Sequence, residues 1–531
     1  MELRDLLKYV GTGLSMAGLP HLGHGADKPA DMNILMISVD DLRPQIFAHG
    51  QNLHGIQKMV TPNLDALIKD SVLFANNYCQ VPICGASRLS LLTGTRPYKQ
   101  PGENWGRHWT FNSRLDVASG NEPAGINHPG DTMVAHFRKH GFKTISVGGK
   151  IYHNRNDDRW DDLLRIPGDP WRNVVPYEIG DGSKTTTRGG TQYNNSEDKY
   201  YPDGWGAHVT MEKIEENKNK KWFMGYGIDK PHLPFWAPQK YWDLYPEDEI
   251  SLPYNHFAPV NAPPESLGNW GELRNYEGIP SSGPLDDALA RKLIRGYYAS
   301  VSFADAQIGK VIDKLKNTVD ENGVRLYDKT IIVLWGDHGW NLAEHTLWCK
   351  HANYRTSLQA PLVIRHPGMP GGRVTQRLTE FVDVYPTLCE LTGTGMPATD
   401  HLEGTSLVPL MENPERPWKQ AAFARFIRGD TIITERYSYS EFVSNDDVVE
   451  GRMLYDLSVD PDENYNIADL NPELVAELSA LLGDGAAGKR NAWKAFVDTD
   501  NHNAPITTPL ELPAPVHPSS GYPLTRPEQN E

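Results

Sequence analysis

The sequence predicts an α/β fold with a large, mostly parallel sheet flanked by helices, plus a smaller C-terminal domain with a short antiparallel sheet. Apolar runs without alternation indicate strands buried on both faces, and segments with helical spacing separate them. After about residue 395, shorter strand-like segments replace this pattern. The four apolar runs are Ile34–Val39, Thr144–Val147, Trp222–Tyr226 and Thr330–Trp335.

Three predicted helices separate these strands. Thr61 and Pro62 begin one as N-cap and first-turn proline. Asp131 caps a second, which reaches His140 before Gly141. The third, Asp286 to Lys316, is long and amphipathic. The C-terminal segments are Ala421–Phe426, Ile432–Ile433, Tyr437–Phe442 and Met453–Tyr455, followed by a helix over Pro472–Leu482.

The chain of 531 residues is longer than one compact domain usually holds. We expect a catalytic domain over 31–395, a C-terminal subdomain over 396–500 and an extended or disordered tail over 501–531. Residues 1–30 resemble a bacterial export leader, with Arg4 and Lys8 ahead of a mildly apolar stretch. This predicts a periplasmic or secreted protein, and the alternative for 1–30 is a disordered N-terminus.

Composition argues against several functions. The net charge of −16 opposes a nucleic-acid partner, because such proteins present basic faces. No run approaches the roughly 18 apolar residues that a membrane helix requires, so no membrane span is predicted. The 4 cysteines are too few for a disulfide framework.

Charged or imidazole side chains follow each of the four apolar strands. In open α/β sheets, ligands bind at the carboxyl ends of the strands. Four such cases indicate one shared site. The side chains are Asp40 and Asp41, Lys150 and His153, His232, and Asp337 and His338.

The carboxylates among them suggest a cation. Asp40 and Asp41 are adjacent and would repel each other unless a positive charge lies between them. Two solvated loop aspartates are the simpler alternative, but a second strand also ends in Asp337 and His338. An oxygen-rich set of ligands favours Ca²⁺ over zinc.

The most specific motif surrounds Cys84. Cys84 and Arg88, in the run CGASR, precede Thr93, Gly94 and Arg96. An isolated cysteine would be interpreted as a buried thiol, but here the full spacing resembles the type I sulfatase signature, Cys-x-Pro/Ala-x-Arg followed by Thr-Gly-x-Arg. The resemblance implies an alkaline-phosphatase/sulfatase-like fold. It also implies that a formylglycine-generating enzyme oxidises the cysteine to formylglycine.

The same resemblance assigns roles to the other residues. A formylglycine hydrate offers a hydroxyl that attacks sulfur, and the start of a helix at Cys84 favours an anionic sulfate. Family resemblance implies a Ca²⁺ site at Asp40, Asp41, residue 84, Asp337 and His338, with Arg88 holding the nucleophile or the metal ligands. It implies sulfate binding by Lys150 and Lys350, deprotonation of the hemiacetal by His153 and protonation of the leaving alcohol by His232.

Within the sulfatases, the chain resembles most the iduronate-2-sulfatase-like group, which includes bacterial enzymes acting on polysaccharides such as ulvan. The segments that carry this likeness are 36–44, 230–235, 335–345, 454–457 and 460–463. The expected substrate is a sulfated, uronate-containing carbohydrate such as ulvan or a glycosaminoglycan. Residues 351–355 and 154–220 depart from the iduronate enzymes, so the sugar stays open.

Two other functions remain as alternatives. A phosphodiesterase or phosphonate hydrolase would share the fold and sometimes the formylglycine. Its two-zinc members need more histidine and aspartate ligands and usually have a serine or threonine nucleophile, which Cys84 opposes. A non-catalytic binder of sulfated glycans would lack catalytic residues, and the sequence retains all of them.

Overall fold

The structure is a computed structural model that describes most of the chain between residues 32 and 486. His153, the predicted leader 1–30 and the tail 501–531 lie outside the described residues. The described ranges are 32–46, 59–96, 132–152, 160–165, 191–194, 197–268, 270–276, 278–398, 401–426, 429–444 and 448–486.

Strands and helices alternate along the first three quarters of the chain. The described strands are β1 (Asn33–Val39), β2 (Val72–Tyr78), β3 (Lys143–Val147), β4 (Asp162–Leu164), β5 (Thr191–Asn194), β6 (Trp222–Ile228), β7 (Phe235–Pro238), β8 (Thr330–Gly336), β9 (Asn341–Leu342), β10 (Trp348–Cys349), β11 (Leu362–Arg365), β12 (Arg373–Glu380), β13 (Ala421–Phe426), β14 (Gly429–Thr434), β15 (Tyr437–Val443) and β16 (Val449–Asp456). The described α-helices are α1 (Pro62–Ile68), α2 (Cys84–Thr93), α3 (Met133–Lys139), α4 (Pro202–Glu216), α5 (Gln239–Trp242), α6 (Asp287–Asn317), α7 (Arg355–Leu358), α8 (Val384–Thr392), α9 (Val408–Glu412) and α10 (Pro472–Ala486).

The main sheet has eight strands in the order β12-β2-β11-β8-β1-β6-β3-β4. β1 lies between β8 and β6 and is parallel to both. β11 is the exception, because it runs antiparallel to β8 and to β2. The predicted α/β class with a mostly parallel sheet is therefore confirmed, and the four predicted strands are neighbours in it.

The side chains of β1 explain why its apolar run shows no alternation. Ile37 and its alternate neighbours belong to one apolar cluster, which also contains Tyr297 of α6. Met36 belongs to a second cluster, which contains Phe137 of α3 and Leu388 of α8. Since both faces of the strand are covered by helices, every position in it is apolar or buried.

Two predicted helix starts differ from the structure in detail. The N-cap of α3 is Thr132, whose hydroxyl accepts from the Ala135 N–H at 3.4 Å, so the prediction of Asp131 is wrong. Both residue types favour this position, and the sequence alone does not choose between neighbours. Thr61 does precede α1, but its side chain makes no capping bond. The Asp305 carboxylate of α6 accepts instead from the N–H groups at the start of α1.

The helix α2 begins at Cys84, as predicted, and its last residue, Thr93, is followed by Gly94 as the C-cap. Gly94 has a φ of +66°, and its N–H donates to the Ser90 carbonyl at 2.9 Å. Glycine adopts this left-handed conformation without strain, so the helix stops there. The cysteine of the motif is therefore the first residue of a helix.

A four-stranded antiparallel sheet, β13-β14-β15-β16, forms the C-terminal part of the fold, as predicted. Glu380 at the end of β12 connects it to the helix of the cysteine motif. Its carboxylate accepts from Arg96 at 2.5 Å, from Lys419 at 2.8 Å and from the Phe423 N–H at 3.1 Å. All of these charged groups are buried, so the two parts of the fold share one ion network.

Among the described residues, no helix has both the length and the apolar character needed to cross a membrane.

Candidate active site

The site lies at the carboxyl ends of four adjacent parallel strands, β8, β1, β6 and β3. Asp40 and Asp41 follow β1, and Asp337 and His338 follow β8. Lys150 follows β3, and the segment from Asp229 to His232 follows β6. The strand order thus brings together groups that are far apart in the sequence. For example, the Asp41 N–H donates to Asp337 Oδ1 at 2.9 Å, although the two residues are 296 positions apart.

The backbone at Asp41 is held in an unusual conformation. Its φ is +63°, a left-handed value that favours Asp and Asn over bulkier residues. The Tyr297 hydroxyl donates to the Asp41 carbonyl at 2.7 Å and accepts from the Arg43 N–H at 2.9 Å. These bonds from α6 turn the chain sharply after β1, so both aspartates face the cleft.

Arg88, one turn into α2, joins two of the three carboxylates. Its guanidinium lies 2.8 Å from Asp40 Oδ1 and 3.0 Å from Asp337 Oδ2, and it also donates to the Ser38 hydroxyl at 2.5 Å. Burial alone would raise the pKa of Asp40, but Lys150 and Arg88 outweigh it and hold that pKa well below its usual range. Arg88 therefore keeps Asp40 ionised and fixes its direction.

Two buried lysines close the cluster. Lys150 donates to Asp40 Oδ2 at 2.5 Å, and Lys350 donates to Asp41 Oδ1 at 2.9 Å. Burial acts against both charges, yet the neighbouring carboxylates raise the pKa of each lysine. Both ammonium groups consequently stay charged at neutral pH, as anion binding requires.

The residues present fit a hard divalent cation. Asp41, Cys84, Asp337 and His338 each offer one atom, and these atoms lie within 4.8 Å of one another. Within the part of the chain that the structure describes, the Asp41 Oδ2 atom is buried without a hydrogen-bond partner. Burial also raises the pKa of Asp41 despite His232 and Lys350. A cation would supply the missing positive charge.

His338 has the orientation of a metal ligand. Its Nδ1 lies 2.9 Å from the Gly339 carbonyl oxygen, which can only accept. In the neutral ring Nδ1 carries the proton, so the lone pair of Nε2 is directed at Asp41 Oδ1, 3.3 Å away, and at Asp337 Oδ2, 3.5 Å away. Asp40 is not a member of this set of possible ligands, since one of its oxygens accepts from Arg88 and the other from Lys150. It belongs to a second set of possible metal ligands, with Cys84 and His232.

Cys84 lies beside the other residues that could bind a cation. Its Sγ is 3.4 Å from His338 Nε2 and 3.9 Å from Asp41 Oδ1, and the residue is 3% exposed. Burial and the Asp40 carboxylate raise the pKa of the thiol well above its ordinary value. The side chain at position 84 is therefore within reach of a cation bound by the neighbouring carboxylates.

The opposite wall of the cleft contains His232 and Lys350, both bonded to Glu272. Glu272 Oε1 lies 3.1 Å from His232 Nε2 and 3.1 Å from Lys350 Nζ. Burial lowers the pKa of His232, but Asp41, Asp40 and Glu272 offset this, so the net pKa is raised above its ordinary value. The ring of His232 therefore takes up a proton more readily than a free imidazole does.

The family profile for sulfatases matches residues 32–394 of this chain. The chain belongs to the sulfatase family. As a member of it, the protein is an enzyme, a sulfuric ester hydrolase. A second profile, described as the C-terminal part of N-sulphoglucosamine sulphohydrolase, matches residues 343–484.

Individual relatives agree with this assignment. A protein described as a sulfatase from Formosa agariphila is 30% identical, over 86% of this chain and 86% of its own length. Iduronate 2-sulfatase of Mus musculus is 28% identical, over 82% of this chain and 90% of its own length. The resemblance predicted from the sequence motifs is confirmed.

Solved structures show the same fold. One is described as a complex with its substrate, D-glucosamine-2-N,6-O-disulfate. It has a TM-score of 0.62 and 19% identity, and the match covers 89% of this chain and 99% of that one. The alkaline-phosphatase/sulfatase-like fold of this sulfatase is therefore confirmed.

The structure also adds a residue to the site of this sulfatase. Glu272 belongs to no motif, and sequence analysis missed it; its only sequence signal is an acidic residue between the large apolar residues Trp270 and Leu273. It lines a cavity of about 360 Å³ beside Lys350. The other lining residues are Ile83, Gly268, Trp270, Gly271, Leu347, Trp348, His351 and Phe426.

Proposed function

We propose that this sulfatase removes O-sulfate from a sulfated carbohydrate, using a formylglycine made from Cys84 together with Ca²⁺. The observation that carries the proposal is the position of Cys84. It is the first residue of α2, and its Sγ lies 3.4 Å from His338 and 3.9 Å from Asp41, among three buried carboxylates. A lone structural cysteine would have apolar neighbours instead.

Maturation converts the side chain of Cys84 to an aldehyde, and a formylglycine-generating enzyme supplies the oxidation. The hydrated aldehyde then provides the hydroxyl that attacks sulfur. Ca²⁺ held by the ligands named below would lower the pKa of that hydroxyl and neutralise charge on the sulfate. Asp40, Asp41, Asp337 and His338 are the proposed ligands, together with residue 84. For Asp40 this requires that the cation replace Arg88 or Lys150 at one of its two oxygens.

The chain's own residues perform the remaining steps. Lys150 and Lys350 are buried cations on either side of the cluster and bind the sulfate oxygens. Arg88 fixes the carboxylates. His232 donates a proton to the leaving alcohol, a role that its raised pKa favours. For His153 we propose the role of the base that expels sulfate.

The proposed sugar is part of a uronate-containing polysaccharide or oligosaccharide, such as ulvan or a glycosaminoglycan. The likeness to mouse iduronate 2-sulfatase supports this class. The cavity beside Lys350, which Trp270, Trp348 and Phe426 help to line, has the mostly apolar lining of a ligand pocket. Residues 1–30 support export to the periplasm or the medium, where such polysaccharides are found.

A substrate panel tests the proposed function. The matured enzyme is incubated with oligosaccharides from ulvan and from glycosaminoglycans, and in parallel with nitrophenyl sulfate and nitrophenyl phosphate. We expect sulfate release from at least one oligosaccharide and a clear preference for the sulfate ester over the phosphate ester. Faster hydrolysis of the phosphate ester, with no oligosaccharide desulfated, would contradict the proposal.

Removal of the metal provides a second test. Chelation of Ca²⁺ is expected to abolish activity and to lower the melting temperature, because three buried carboxylates would lose the charge that holds them together. Ligand binding at 100 times its Kd stabilises a protein by about 2.7 kcal/mol. Calorimetry before and after chelation, with elemental analysis, measures both effects. Stoichiometric zinc without calcium would contradict the metal assignment.

A further inference from the structure

Glu272 makes its hydrogen bonds to the cleft rather than to the fold. Oε1 faces His232 Nε2 and Lys350 Nζ, each 3.1 Å away. Oε2 is buried without a hydrogen-bond partner among the described residues, and it lies 3.9 Å from His351 Nδ1. A structural glutamate at this depth would cap a helix or accept from the backbone. The contacts of Glu272 are instead with two groups of the proposed machinery.

The segment that carries Glu272 is firmly anchored. Trp270 and Leu273, on either side of it, are buried in the main apolar cluster. The Arg274 guanidinium lies over the Trp270 ring, 3.9 Å from its centroid. Since its flanks are fixed in the core, the carboxylate of Glu272 has a defined position although it follows no strand of the sheet.

The ring of His232 is held between two acceptors. Nδ1 lies 2.7 Å from the Leu233 carbonyl oxygen, which can only accept, so it carries a hydrogen. Nε2 faces the carboxylate of Glu272, which also accepts. Both ring nitrogens therefore donate, and the ring cannot flip without losing one of these bonds. The same Oε1 accepts from Lys350, whose Nζ also donates to Asp41 at 2.9 Å.

We propose that Glu272 is a positioning residue for desulfation, which orients the proton-donating nitrogen of His232 and the ammonium group of Lys350 through a single carboxylate oxygen. This inference rests on the proposed function, because it assumes that His232 serves the leaving alcohol. In the reaction, the Nε2 hydrogen of His232 passes to the leaving alcohol, and the ring is left neutral with its remaining hydrogen on Nδ1. No covalent bond forms or breaks at Glu272. Its effect passes through His232 and Lys350, and that dependence can be measured.

The test uses the matured, calcium-loaded enzyme with its best oligosaccharide from the panel and with nitrophenyl sulfate. Glu272→Ala is expected to lower kcat/KM on the oligosaccharide about 10- to 100-fold, the range found for residues that orient a functional group. The loss should fall mainly on kcat and be smaller on nitrophenyl sulfate, whose leaving group needs no proton. Glu272→Gln keeps an acceptor oxygen and should recover part of the activity.

A double-mutant cycle identifies the route of the effect. In the His232→Ala background, Glu272→Ala should cost less on the oligosaccharide than it does alone, since one of the two groups that it orients is gone. The matched control is Glu265→Gln, an exposed glutamate of the same region, which should behave like wild type. Melting temperatures of all variants identify any loss of fold, and Glu272→Gln, which is isosteric, keeps the test valid if Glu272→Ala unfolds.

Two outcomes overturn the inference. One is full additivity of Glu272→Ala and His232→Ala, and the other is wild-type activity in both Glu272 variants. Either result, with an active wild-type enzyme, removes the positioning role and leaves the proposed function standing. A wild-type enzyme that releases sulfate from no substrate removes the proposed function itself.

Discussion

Replacing Cys84 by alanine is expected to abolish desulfation while leaving the fold intact. Alanine has no group that can become the aldehyde, so the nucleophile is lost, and loss of a nucleophile costs roughly 10⁴-fold or more in kcat. Cys84→Ser should be equally inactive, because the oxidation proposed here acts on a thiol. Sulfate release by each variant, measured against wild type produced with the maturation enzyme, gives the result.

The control for this pair is Cys389→Ala. Cys389 is also buried, but it lies in α8 and packs in the apolar core away from the cleft. This variant should keep its activity. Mass spectrometry of the peptide that contains residue 84 shows whether the wild-type side chain has matured. More than trace activity in Cys84→Ala, or near-normal activity in Cys84→Ser, would exclude formylglycine as the nucleophile.

Replacing His232 by alanine is expected to affect two kinds of substrate differently. A sugar hydroxyl is a poor leaving group without a proton, whereas nitrophenolate leaves without one. General acid catalysis typically contributes about 10²–10⁴-fold. His232→Ala should therefore lose about that factor on the best oligosaccharide and much less on nitrophenyl sulfate. Parallel measurement of kcat/KM on the two substrates gives the comparison.

An exposed histidine of the described chain, His256, offers the control, and His256→Ala should match wild type on both substrates. Equal losses of His232→Ala on oligosaccharide and aryl sulfate would show that His232 binds the sulfate or organises the site. Another residue would then supply the proton, and the cycle with Glu272→Ala would report on sulfate binding instead.

The parts of the fold that the sequence predicts are those with a strong local pattern. β1 and β8 are continuous apolar runs because helices cover both faces, so their type and place follow directly from the residues. Gly94 ends α2 because its φ is positive. The site could be located for the same reason, since each of its motifs directly follows a strand or begins a helix.

Contacts between segments that are far apart in the sequence could not be predicted from local patterns of residues. β2 contains Asn76 and Asn77 and is less apolar than its neighbours. Its place between β12 and β11 depends on contacts with residues far away in the sequence, such as that of Asn77 with Thr379, 302 positions later. Glu272 is a similar case. Its contacts depend on where Trp270 and Leu273 are buried, and the residues next to it in the sequence do not predict that it lies beside His232 and Lys350.

Because of the ion network around Glu380, the part of this enzyme that contains the larger sheet depends on contacts with the C-terminal sheet. A chain that stopped after α9 would lack Lys419 and the Phe423 N–H. Arg96, which follows the helix that begins with Cys84, would then be the main remaining partner of the buried Glu380 carboxylate. A C-terminal sheet that replaced the one in this chain would therefore have to bring its own partner for Glu380. Recombination that ignored this would disturb the nucleophile from a distance, without altering any residue of the cleft.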